Sequence, residues 1–145
     1  DLFAAVGAHS GLPHGAATDL SSALRAMRQG AAAPSTAGRG IPTIVFHGDR
    51  DATVHRANAE AILRQATAGA ARPLVTVHEH PSGARRAHTR YVYRDASGTL
   101  LAEGWSVHGL GHAWSGGDPA GTYADADGPD ASAELVRFFA EHRRG

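Results

Sequence analysis

The run IPTIVFHGDRD, residues 41–51, constrains the fold more than any other part of the chain. Ile44, Val45 and Phe46 are consecutive and apolar, and His47-Gly48 ends the run. A strand with one wet face alternates apolar and polar residues. A short unbroken run belongs to a strand buried on both faces, as in a parallel sheet with helices above and below.

The neighbouring segments supply such helices. VHRANAEAILRQATAG (54–69) places Val54, Ala57, Ala61, Ile62 and Ala66 on one side, with Gly69 near the stop. DLSSALRAMRQ (19–29) opens on Asp19, a good N-cap, and Leu20, Leu24 and Met27 follow at helical spacing. DASAELVRFFAEHRR (130–144) reads as a closing helix, capped by Asp130, with Leu135, Val136, Phe138 and Phe139 as its apolar face. FAAVGAHSG (3–11) is a short apolar run with a glycine stop, hence a buried strand. ARRAHTRYVYRDASGTLLAEGWSVHG (84–109) reads as a hairpin turning at the Asp-Ser-Gly cluster. GAAAPSTAGRG (30–40) and GGDPAGTYADADGPD (116–130) read as loops, the first of them mobile. The order strand, helix, strand, helix, hairpin, helix predicts an α/β layered sheet, mostly parallel, in a single unit spanning 1–145.

At 145 residues the chain can bury a hydrophobic core. Lys and Arg together number 14, as do Asp and Glu, so the chain lacks the basic excess of a nucleic-acid binder. With no cysteine, a disulfide framework and a thiolate metal site are excluded. No apolar run approaches the roughly 20 residues of a membrane span. The opening DLFAAVGAHSG enters a strand at once, with no cap, arm or start methionine, and reads as the middle of a longer protein.

Ligands of open α/β sheets bind beyond the carboxyl ends of the strands. Two acid–base groups follow strand ends here: Asp51 in HGDRDATV and His112 in VHGLGHAWSGG. A carboxylate beside an imidazole fixes its tautomer and stabilises the imidazolium formed when it takes a proton. The α/β-hydrolase chain order is nucleophile, acid, histidine, and Asp51 followed by His112 fits the second and third places. Asp49 competes with Asp51 for the acid role, its other reading being a turn-shaping residue.

IPTIVFHGDRDATV, VHGLGHAWSGG and GPDASAELVRFFAEH together resemble the C-terminal half of α/β-hydrolases of the poly(3-hydroxybutyrate) depolymerase and feruloyl-esterase type. DLFAAVGAHSGL resembles the segment after that family's nucleophile helix. The resemblance implies a serine ester hydrolase, secreted or periplasmic, acting on a polyester, a feruloyl ester or a small acyl ester. It implies no cofactor, and it assigns the acid to Asp51 and the base to His112. The family's G-x-S-x-G elbow is absent. Ser10 in GAHSG is fourth rather than third in its pentapeptide, so it reads better as a pocket wall or turn residue than as the nucleophile. Serine and oxyanion donors would then precede Asp1, and the 145 residues alone would be inactive. The sheet edge left open would be covered by the missing half as a separate chain or by a second copy. A peptidase or thioesterase, and a non-catalytic binding domain on the same scaffold, are the alternatives.

The remaining candidates have plainer readings. His108 and His112 are four apart, but the intervening Gly-Leu-Gly is not helical and no third ligand is evident, so no metal site is read. DADGPD (125–130) resembles part of a calcium loop but reads as turn and cap chemistry. Trp114 lines a pocket or packs its loop. Trp105 reads as core, His47 as support for the Asp51 loop, and the arginines of ARRAHTR as a solvated hairpin edge.

Overall fold

The computed structural model describes residues 3–31 and 40–142, so most of the loop expected to be mobile lies outside the described residues. The main sheet has five strands: β1 (Val6–His9), β2 (Thr43–Gly48), β3 (Leu74–His80), β4 (His88–Arg94) and β5 (Leu100–Val107). Their order across the sheet is β1-β2-β5-β4-β3. A small ladder joins β6 (Trp114–Ser115) to β7 (Ala124–Asp125). Among the described residues there are three helices: α1 (Leu20–Gln29), α2 (Ala57–Thr67) and α3 (Ala131–Glu141).

Every residue of β2 is buried, as its unbroken apolar run requires. It lies between β1 and β5 and is parallel to both. Ile44 and Phe46 face α3, packing with Trp105, Val107, Leu110 and Phe138. Val45 faces α2, packing with Ala59 and Ile62. Helix α2 comes close enough to β5 that a Cβ on Gly104 would sit 2.8 Å from Leu63 Cδ1.

The helix caps follow the sequence. Asp19 accepts from Ser22 N–H at 2.8 Å, Ser22 returns the bond, and Asp130 accepts from Ala133 N–H at 2.9 Å. Asn58, fully buried on α2, ties the two helices of its layer. Its amide donates to the Ala26 carbonyl at 2.8 Å and accepts from Ala31 N–H at 2.9 Å.

The sheet is mixed rather than mostly parallel. β4 pairs antiparallel with both β5 and β3. The connections 81–87 and 95–99 are too short for a crossover, so each can only turn the chain back. The hairpin β4–β5 turns where Asp95 Oδ1 collects the N–H groups of Ser97 and Thr99, both at 2.9 Å. Strand β3 extends this hairpin into a meander and was not expected from the sequence.

Of the arginines of 84–90, Arg85 is exposed as expected, but Arg86 and Arg90 are held in partly buried ion pairs rather than simply solvated. Arg85 donates to the carbonyls of Ala126 and Gly128. Arg86 makes a two-pronged pair with Asp125 at 2.7 and 3.1 Å. Arg90 and Arg137 both grip Glu103, whose side chain is 1% exposed. Burial alone would raise the Glu103 pKa, but the two guanidiniums outweigh it and hold the carboxyl below its ordinary value.

Candidate functional site

Strands β2 and β5 run side by side, with Gly48 opposite Val107, so the chain leaves both at one rim of the sheet. The two exit loops are then laced together. Asp49 N–H donates to the Val107 carbonyl at 3.1 Å, and Arg50 N–H donates to the Leu110 carbonyl at 3.0 Å. Asp49 Oδ1 accepts from Gly109 N–H at 2.7 Å. A Cβ on Gly48 would run into the Leu110 carbonyl, so only glycine allows this approach.

The lacing brings Asp51 to His112 across 61 residues of sequence, with His112 Nδ1 2.8 Å from Asp51 Oδ2. Asp51 Oδ1 accepts from Thr53 N–H at 2.9 Å and Val54 N–H at 2.8 Å. The Asp51 side chain is wholly shielded from solvent, whereas that of His112 is 38% exposed. Burial pushes the Asp51 pKa up, but the Val54 N–H, His112 and the Thr53 N–H together bring it below the ordinary value. Asp51 is therefore a carboxylate at neutral pH and can only accept. In the neutral imidazole this puts the proton on Nδ1 and leaves the lone pair on Nε2. Among the described residues Nε2 has no hydrogen-bond partner.

His112 opens on a groove of about 440 Å³, lined also by His9, Ser10, Thr53, Trp114 and Tyr123. Both sequence-derived pocket candidates, Ser10 and Trp114, are therefore on its wall. Ser10 has a left-handed backbone, φ +49°, and its Oγ is buried without a partner. It makes no hydrogen bond to His112. Trp114 combines its two readings: it lines the groove, stacks on His9 with ring centroids 4.7 Å apart, and donates to Ser132 Oγ at 3.2 Å.

The competing residues separate cleanly. Asp49 pairs with His108, not His112, at 3.3 Å, and both side chains are partly exposed. His108 Nε2 lies 2.9 Å from Thr89 Oγ1, so both of its nitrogens are engaged. His47 supports the acid loop: its Nε2 is 2.8 Å from the Val54 carbonyl and 3.8 Å from Asp51 Oδ2. Burial lowers the His47 pKa. Trp105 is core, stacked between Phe46 and His88. Among the described residues, no group of three or more His, Asp or Glu could hold a metal ion. Asp125 is engaged by Arg86, and Asp130 caps α3. A second cavity, about 310 Å³, lies on the α2 side against Leu63, Tyr91, Tyr93 and Gly104. Neither Asp51 nor His112 reaches it.

Sequence reasoning missed His9, at the end of β1. Its ring packs between Phe46 and Trp114, and its Nε2 accepts from Ser115 N–H at 3.0 Å. The two partners are 106 residues apart, so no local pattern signals the contact. Thr53 and Tyr123 were also missed. The first contributes a backbone N–H, which carries no side-chain signature, and the second reaches the groove from a loop.

An acceptor-only buried carboxylate and a groove-lining imidazole that it orients through Nδ1 can together take a proton from a hydroxyl and return it. No protein-family model and no curated protein matches the chain.

Proposed function

We propose that these residues supply the acid and the base of a serine-type carboxylic ester hydrolase. The reading is carried by one observation: the sealed Asp51 carboxylate 2.8 Å from Nδ1 of His112, a residue that lines the groove. The resemblance of the loop sequences to the depolymerase and feruloyl-esterase type of α/β-hydrolase points the same way.

In this reading a serine hydroxyl from chain outside the 145 residues approaches His112 Nε2. His112 takes its proton as the oxygen attacks the ester carbonyl. The imidazolium that forms is held by Asp51, then protonates the leaving alcohol. Water repeats the cycle on the acyl-enzyme. Ser10 is not the nucleophile in this reading: α1 begins only at Leu20 rather than directly behind it, its Oγ is sealed from water, and it makes no bond to His112. The ester is a polyester, a feruloyl ester or a small acyl ester.

The test is hydrolysis of p-nitrophenyl butyrate by the complete gene product and, separately, by residues 1–145 alone. The reading expects turnover by the first and, from loss of the nucleophile, a rate lower by about 10⁶-fold for the second. Equal, robust turnover by both would reject the missing serine. No turnover by a folded, complete gene product on butyrate, feruloyl or hydroxybutyrate esters would reject the hydrolase.

A further inference from the structure

His9 is the least explained group in the groove. Its Nε2 accepts a backbone N–H, from Ser115. A backbone amide can only donate, so Nε2 carries the lone pair. Burial, with His47 and His112 nearby, lowers the ring's pKa to about 4, so the ring is neutral at pH 7. The single proton of a neutral imidazole must then sit on Nδ1.

Nδ1–H has no hydrogen-bond partner among the described residues. It is not sealed in either, because the only buried, unpartnered side-chain polar atoms among those residues are Ser10 Oγ and His47 Nδ1. An imidazole that lines the groove, has one nitrogen locked to the protein and keeps its donor open to solvent is built like a ligand contact. The ring cannot swing away, since Phe46 and Trp114 stack on it at 5.9 and 4.7 Å. The Asp51 carboxylate behind His112 disfavours an anion here, so the matching acceptor is uncharged.

We propose that His9 Nδ1–H donates a hydrogen bond to the carbonyl oxygen of an uncharged ligand lying in the groove against Trp114. The inference deepens the ester-hydrolase reading, on which the ligand's being an ester rests. It makes His9 a substrate-positioning residue that acts from the strand beside the acid–base pair.

The test uses the complete gene product and 2-hexanone, a carbonyl probe that cannot be hydrolysed. Nitrogen–proton correlation spectra of the imidazoles should show His9 as the Nδ1–H tautomer at pH 7. Its Nδ1–H proton should shift with saturation as ketone is added. Two variants separate support of the loop from contact with the ligand. His9→Asn keeps an N–H near Nδ1 but loses the acceptor for Ser115. His9→Gln keeps that acceptor near Nε2 but loses the Nδ1 donor. His9→Gln should weaken ketone binding about fivefold, and His9→Asn less than twofold, the scale of one net hydrogen bond. An Nε2–H tautomer, an Nδ1–H signal indifferent to ketone, or full affinity in His9→Gln would each overturn the proposal. A ketone response without ester turnover would leave His9 as a carbonyl donor and remove the hydrolase. Ester turnover with kcat/KM unchanged in His9→Gln would do the reverse.

Discussion

Asp51→Asn isolates the element on which the functional reading depends. The native carboxylate accepts three N–H groups, from Thr53 and Val54 on Oδ1 and from His112 on Oδ2. An asparagine has one acceptor oxygen. If that oxygen stays on the two backbone donors, the new NH₂ faces His112 Nδ1. Two donors cannot pair, so the imidazole must present a lone pair at Nδ1 and move its proton to Nε2. In the proposed reaction Nε2–H would then face the serine hydroxyl and could not accept its proton. Loss of the correct tautomer costs about 10⁴-fold in kcat in a serine–histidine–aspartate enzyme, or roughly 5.5 kcal/mol of barrier. Folding stability should fall by only about 1–2 kcal/mol, since one charge-assisted bond is lost but a buried charge is removed with it. The assay is kcat/KM on p-nitrophenyl butyrate by the complete gene product, with urea denaturation in parallel. Asp49→Asn is the control: Asp49 ties the loop through Gly109 and His108, so its loss should cost less than tenfold. Asp51→Asn within fivefold of the wild type, or equal losses in the two variants, would refute the assignment.

Two further outcomes follow from the buried charges and imidazoles. Glu103→Gln should destabilise the fold by about 2–3 kcal/mol in urea, because Arg90 and Arg137 lose their shared carboxylate while remaining partly desolvated. Glu60→Gln, in the exposed pair with Arg64, should change stability by less than about 0.5 kcal/mol, and equal effects at the two sites would contradict the burial argument. Burial holds the pKa values of His9, His47 and His88 below 6.5, that of His9 at about 4. The unfolded chain therefore binds more protons than the native one below about pH 6.5, so stability is full above that pH and falls as pH drops toward 4. His9 alone accounts for roughly 3 kcal/mol by pH 4. Urea midpoints measured between pH 7 and 4.5 should decline, with a shallower slope in His9→Gln; a flat profile would rule this out. The depressed Asp51 and Glu103 pKa values act in a lower window, removing stability only as pH falls through them.

Local chemistry in the chain determined a large part of this molecule. The unbroken Ile44-Val45-Phe46 run marks a fully buried strand, because a strand with a wet face would have to alternate. Asp19 and Asp130 mark helix starts, since the cap bond is made within three residues. The Asp-Ser-Gly turn marks the hairpin for the same reason. Asp51 and His112 stand out as residues following strand ends. Tertiary structure alone decided the rest, because it depends on groups far apart in the chain. The laced loops set Asp51, rather than Asp49, against His112. Strand β3, exposed along its whole length, has no buried face to impose a pattern. Arg86 and Arg90 look solvated until the fold brings Asp125 and Glu103 to them. His9 acquires a fixed tautomer only when Ser115 arrives from the other end of the chain, since an imidazole's proton follows the partner that three dimensions supply.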